Sequence, residues 1–246
     1  MEFLAACHVH SKWSYDGSWS LDELSAEFGR RGYRVLMMTE HDRGFTSVRL
    51  EQYREACSQA STKEMLVMPG IEYSDAANCV HILVWGQVPF LGEGLPTIEM
   101  LEGVKVANGF AVLAHPSRRD AWKSFELSWA NRLSGIEVWN RKYDGWAPSQ
   151  TAPDLVQKAG AIPFAGLDFH TQRQFFPLGM ALDLHGEVSE ESVLESLKSR
   201  RCSVRAFGIS LSQSMVHKAL PVLSMAERSR KIGASIVKRS RGRRTR

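Results

Sequence analysis

The chain has no run of eighteen apolar residues, so a membrane-spanning helix is not expected. Its start shows no basic stretch followed by a long apolar run, and no secretory signal is expected either. Cysteine is sparse. Cys7, Cys57, Cys79 and Cys202 stand singly, with no C-x-x-C pair, which speaks against a disulfide framework and a thiolate zinc site. They read as small buried apolar side chains, and a reducing cytoplasm is the expected location. Acidic residues are missing from one region in particular. From Arg228 to Arg246 there is none, against nine Lys or Arg; taking that +9 from the chain's net +4 leaves −5 for residues 1–227. Such a basic segment has little to bury and repels itself. Residues 228–246 are expected to form a disordered tail, either simply solvated or in contact with nucleic acid or another anionic surface.

What is present is ordinary globular composition, with 43% hydrophobic and 24% charged residues, enough for one large domain over 1–227. Short apolar runs alternate with helical patterns. FLAACHV reads as a strand, and SLDELSAEFGRRG as a helix whose Ser20 and Glu23 have capping-box spacing. VLMMTE is a strand, Ser47–Ala60 a helix, and MLVMPGIEY and HILVWG two strands joined by a turn through Asp75–Asn78. Further helices are expected at Thr97–Asn108, Ser124–Leu133, Ser149–Ala159 and Glu190–Arg200, alternating with the strands FAVL, GIEVWN, AIPFAG, LGMALDL and CSVRAF. A helix interrupted by Pro221 is expected over Ser210–Ala226. Strand–helix alternation with continuous apolar strands predicts parallel βα units, and about seven of them favour a barrel, complete or distorted, over an open sheet.

The polar residues fall at strand ends. His8 and His10 close the first strand, and the loop carrying Asp16 follows. His41 ends the second strand, Glu72 follows the third, His81 begins HILVWG, His115 follows FAVL, and Asp168 and His170 follow AIPFAG. In α/β barrels these ends form the active-site face. An antiparallel excursion of the strand pair at 66–85 would return His81 to the same rim. Each residue alone has a plain structural reading. H-x-H occurs by chance, and Asp16-Gly17 is a turn signal. In conjunction, imidazoles and carboxylates without thiolates are what Zn, Mn or Fe prefer, and a multinuclear metal site is expected. His185 and His217 fall outside the pattern and are taken as structural.

The ordered set H8-x-H10, Asp16, T39-E-H41-D, Glu72, His81, A114-H115-P and D168-x-H170 resembles the PHP superfamily, named for polymerase and histidinol phosphatase. The resemblance implies an α/β fold of the distorted (β/α)7 TIM-like barrel type, two or three divalent ions and phosphate-ester hydrolysis. By the same resemblance His8, His10, Glu72 and Asp168 hold one ion, Glu72 bridges to a second completed by His81 and His115, and Asp16, His41 and His170 hold a third. There are departures. Glu40 stands where the family commonly has Asp, which puts any acid/base part there in doubt, and the segment between His81 and His115 is short where the nucleoside-bisphosphate and RNA-end branch carries an insertion.

Phosphate esters need a nucleophile and a sink for negative charge, and two close cations supply both by activating a shared water. Glu72 is expected to set the spacing, with Asp168 or His170 returning the proton to the leaving group. Arg118, Arg141 and Arg173 follow strand ends, and at least one is expected to grip phosphate through its planar fork. Arg43 is a further such arginine. Trp13, Tyr15, Trp19, Trp139, Tyr143 and Trp146 either wall a substrate pocket or pack on the rim, with packing favoured. The expected activity is hydrolysis of a small phosphomonoester; the alternatives are a nuclease or repair phosphoesterase helped by the basic tail, a degenerate barrel serving as an interaction module, and an amidohydrolase. The intact ligand set argues against the module, and D-x-H with a bridging Glu argues against the amidohydrolase.

Overall fold

A computed structural model describes residues 1–211 and 222–230. The order is β1 (Glu2–Val9), α1 (Leu21–Arg30), β2 (Val35–Met38), β3 (Glu40–His41), α2 (Ser47–Ala60), β4 (Leu66–Met68), β5 (Gly70–Ser74), β6 (His81–Trp85), α3 (Thr97–Val106) and β7 (Phe110–Leu113). It continues with β8 (Gly135–Asn140), α4 (Ala152–Ala159), β9 (Ile162–Gly166), β10 (Leu178–Asp183), α5 (Glu190–Lys198), β11 (Cys202–Ala206) and β12 (Ile209–Ser210). A helix spans 222–230.

Local chemistry explains the helix ends. Ser20 and Glu23 make the reciprocal capping box, satisfying two backbone donors that the first turn of α1 leaves free. Thr46 caps α2 by accepting from the Arg49 N–H, and Gly160 closes α4 in the left-handed conformation that glycine adopts without a Cβ penalty. The strands VLMM and FAVL are buried along their whole length, as their unbroken apolar sequence requires.

The class is mixed α/β, in two six-stranded sheets ordered β12-β11-β10-β1-β2-β4 and β3-β5-β6-β7-β8-β9. The expectation of parallel βα units holds for β1–β2, β2–β4, β3–β5, β7–β8 and β8–β9 and is corrected elsewhere. β1–β10, β10–β11, β11–β12, β5–β6 and β6–β7 are antiparallel, and of these β5 and β6 are joined by a turn too short for a crossover helix. The sheets approach where β9 leads into Asp168: Leu167 N–H donates to Cys7 O, Phe169 N–H to His8 O, and His10 N–H to Phe169 O. The strands group as two sheets and not as one closed ring. The register Ser74↔His81 does return His81 to the rim, so the excursion anticipated over 66–85 is present.

The helix expected over Ser124–Leu133 is replaced by short 3-10 segments, Arg118–Ser124 and Leu127–Trp129. Phe125 and Glu126 are extended and interrupt any continuous helix there. The tail expected at 228–246 and the middle of the helix expected at Ser210–Ala226, His217 included, lie outside the described residues except for 222–230. No helix among the described residues is long and apolar enough to cross a membrane.

Replacing Ser20 by Ala should lower stability by about 1 kcal/mol, because the Glu23 N–H loses its acceptor. Urea unfolding measures it; an unchanged midpoint would contradict the cap.

Candidate metal centre

β1 does not end as a regular strand. Its register against β2 shifts between Cys7 and Val9, and His8 has φ +60°. The bulge turns His8 and His10 into one cleft with ring centroids 5.2 Å apart. His115 (φ +28°) and Asp168 (φ +51°) share the left-handed backbone. Each such residue costs about 1–3 kcal/mol and is tolerated where the surrounding structure enforces it.

Glu72, delivered by β5 and fully buried, is the hub. Its carboxylate lies 2.7 Å from His81 Nδ1, 3.0 Å from His115 Nε2 and 3.1 Å from His41 Nδ1. His10 Nε2 and His8 Nε2 stand slightly farther, at 3.4 and 3.5 Å. Asp168 Oδ1 lies 3.9 Å from both His8 Nε2 and His10 Nε2, and 3.3 Å from His170 Nδ1. Asp16 meets His41 at 3.3 Å and His170 at 3.1 Å. All nine sequence-predicted ligands are therefore brought together.

Their donor atoms form three overlapping groups, each within 4.8 Å: His10, Asp16, His41 and His170; His8, Glu72 and His115; and His8, His10 and Asp168. His81 stands outside these groups, both ring nitrogens being engaged, with Glu72 at 2.7 Å and Asn78 Oδ1 at 2.6 Å.

The donor set fits divalent ions. His8 Nδ1 is taken by Glu137 at 2.8 Å and His10 Nδ1 faces Ser14 Oγ at 3.4 Å. Both rings then turn Nε2 inward, where neither atom has a hydrogen-bond partner. An unsatisfied buried polar atom costs about 1–3 kcal/mol. Two ligands of one tetrahedral ion, each about 2.1 Å from it, would stand about 3.4 Å apart, close to the His10–Glu72 separation.

In the metal-free cluster the carboxylates are held ionised and His10 neutral. Burial opposes charge on His8, but Glu137, Asp168 and Glu72 outweigh it and raise its pKa well above an ordinary imidazole, so a cation would displace a proton there. Burial opposes charge on Glu72, yet the His8 and His81 charges and hydrogen bonds from His115 and His41 hold its carboxyl well below the usual range. Burial, then the neighbouring His170 and His41, push His10 well below an ordinary imidazole, keeping it neutral. Asp168 is lowered against burial by His8 and Lys142.

Above the hub opens a cleft of about 550 Å³ lined by Tyr15, Arg43, Arg118, Lys142 and Tyr143 together with the Glu72, His115 and Asp168 side chains. Arg118 is braced by Asn78 O, Asn78 Oδ1 and Tyr143 Oη at 2.8–3.1 Å. Arg141 and Arg173 do not line the cleft; the Arg141 guanidinium lies 4.8 Å from the Phe176 ring centroid instead, and Arg173 sits in a 3-10 turn at Gln172–Gln174. Of the aromatics, Tyr15 and Tyr143 reach the cleft. Trp13 packs on Tyr53, Trp19 on Phe175, Trp146 lies by Arg230, and Trp139 is buried.

Glu40 accepts from Ser11 N–H, Ser11 Oγ and Ser14 Oγ, so it braces the first loop and is turned from the hub. Sequence reasoning missed Lys142, whose Nζ lies 3.0 Å from Asp168 Oδ1, and Glu137. A glutamate inside the apolar strand GIEVWN was the available signal for the second; nothing local distinguishes Lys142 from the neighbouring Arg141.

No family model and no curated protein matches the chain. Solved structures do, and the chain has the fold of the PHP-like metal-dependent phosphoesterases, the group its residue pattern resembles. One is a two-domain protein from Bacteroides vulgatus containing a predicted PHP-like metal-dependent phosphoesterase: TM-score 0.69, 16% identity, 89% of this chain and 69% of that one. PsfC from Pseudomonas syringae matches at TM-score 0.60 and 17% identity, over 93% of this chain and 98% of its own. The lesion-specific endonuclease Q of Pyrococcus furiosus matches at 0.54 and 14%, over 81% of this chain and 56% of its own. At these identities the likeness is one of fold.

In the metal-free protein, burial disfavours charge on His41, but Asp16 and Glu72 outweigh it and raise its pKa to about 10. This lies above the unfolded value of about 6.5, so the stabilisation is complete below about pH 6.5 and lost as pH rises through about 10. Chelator-treated protein should lose stability across that window in urea titrations, and His41→Gln should flatten the fall. A flat wild-type profile would contradict this charge assignment.

Proposed function

We propose that the chain is a metal-dependent phosphoesterase whose substrate is a small phosphomonoester. The observation that carries this is the pair of unpartnered, buried Nε2 atoms of His8 and His10 turned toward Glu72 and Asp168. In this reading the two sheets are halves of a distorted (β/α)7 barrel, supported by the backbone bonds between the β1 and β9 ends. Residues 1–227 form the catalytic unit, and the basic segment 228–246, whose first three residues end the helix at 222–230, follows it. Four unpaired cysteines support a cytoplasmic location.

His8, His10, Glu72 and Asp168 would hold one ion, and Glu72 with His115 a second, which His81 would complete by exchanging its hydrogen bond to Glu72 or Asn78 for the ion. Asp16, His41 and His170 would hold a third, with His10 close enough to join that last group. Manganese, zinc or iron held there supplies an activated water near neutral pH and offsets phosphoryl charge. Arg118, braced by Asn78 and Tyr143, and Lys142 beside Asp168 draw the phosphate oxygens in and orient them. Asp168 is kept ionised by His8 and Lys142, which makes it a poor source of a proton for the leaving oxygen. The cleft volume suits a small organic substrate.

A second reading, a phosphoesterase acting on nucleic-acid ends, is favoured by the likeness to a lesion-specific endonuclease and by the basic tail. Deleting 228–246 should then weaken oligonucleotide binding and flatten its salt dependence. Loss of neither removes this reading.

His10→Ala and Asp168→Ala should each abolish retained metal, by elemental analysis, and turnover of phosphomonoesters by manganese-loaded protein, while circular dichroism stays native. Wild-type activity in either variant sinks the assignment. Screening phosphomonoesters, phosphodiesters and short oligonucleotides side by side separates the two readings.

A further inference from the structure

We propose that Glu137 is a positioning residue that fixes the His8 imidazole for metal binding, an inference that rests on the metal-centre reading above. Glu137 sits in the middle of β8 with no solvent exposure. Its Oε1 accepts from His8 Nδ1 at 2.8 Å. Its Oε2 accepts from the His115 N–H at 2.7 Å and from Asn140 Nδ2 at 2.8 Å. A buried carboxylate is costly unless its lone pairs are used, and here three donors from three strand ends use them.

The consequence for His8 is directional. In the neutral ring that binds a cation, Nδ1–H donates to Glu137 and the lone pair is left on Nε2, the atom that faces Glu72 and Asp168 without a hydrogen-bond partner. An acceptor behind a ligating histidine fixes its tautomer and raises its basicity. The adjacent strand makes room: a Cβ on Gly166 would lie 1.7 Å from Glu137 Oε1, so only glycine there admits the carboxylate. The same group reaches the cleft wall through Asn140, whose Oδ1 accepts from the Lys142 and Tyr143 N–H groups. One carboxylate thus sets a ring, the His115 backbone and the loop that presents Lys142 to Asp168.

Two measurements on the full chain test this. In zinc-loaded wild type, NMR of isotope-labelled histidine should show His8 protonated on Nδ1, with slow solvent exchange. Chelator competition should show Glu137→Gln binding zinc about 10- to 100-fold more weakly, and Glu137→Asp recovering part of the loss. A His8 without the Nδ1 proton overturns the proposal, even if Glu137→Gln fails to fold. A folded Glu137→Gln with wild-type zinc affinity also overturns it, leaving the metal centre intact. Wild type that holds no zinc, manganese or iron removes the metal-centre reading and this one together.

Discussion

A carboxylate that is almost wholly buried and has five imidazoles pressed around it is the constraint on which the remaining architecture depends. Glu72 touches histidines from β1, β3, β6, β7 and their loops within 3.5 Å. Placing so many lone pairs in a dry pocket is unfavourable unless positive charge is shared among them, by protons in the metal-free protein and by cations in the loaded one. The strand ends must therefore arrive at one point with little freedom. The buried runs of Met37, Met38, Val112 and Leu113 behind the site supply that rigidity.

The backbone carries the strain of this convergence. His8, His115 and Asp168 all adopt positive φ, and two of the three are held there by hydrogen bonds made outside the cluster. Glu137 takes the His115 N–H, and Phe169 donates to His8 O. Strain at three points is sustained by packing distributed over both sheets, which is how a fold can keep costly geometry local to a site.

The cleft above the cluster carries charge of both signs. Arg118, Lys142 and Arg43 offer positive charge, and Asp42, Asp75 and Glu93 line the same cleft. The acids are partly occupied: Asp42 accepts from Ser74 N–H, Asp75 from Cys79 N–H and Glu93 from Gly44 N–H. Arg118 is preorganised, because Asn78 and Tyr143 hold it before any ligand enters. Such bracing reduces the side-chain entropy lost on binding an anion.

Much of this was legible in the chain. The apolar runs, the Ser20–Glu23 cap and the order of His and acid residues at strand ends gave the α/β class and the nine convergent side chains, because strand period and capping are local properties. Sheet order was not legible, since β1 pairs with β10 across more than 170 residues and nothing local states whether a neighbour runs parallel. The same limit separated Arg118 from Arg141. Both follow strand ends, yet only tertiary packing turned one toward the cleft and laid the other near Phe176. It also hid Glu137 and Lys142, whose partners His8 and Asp168 are 129 and 26 residues away. Residue order determined which chemistry is available; three-dimensional packing alone decided which groups face it, because orientation depends on contacts that no short window of sequence contains.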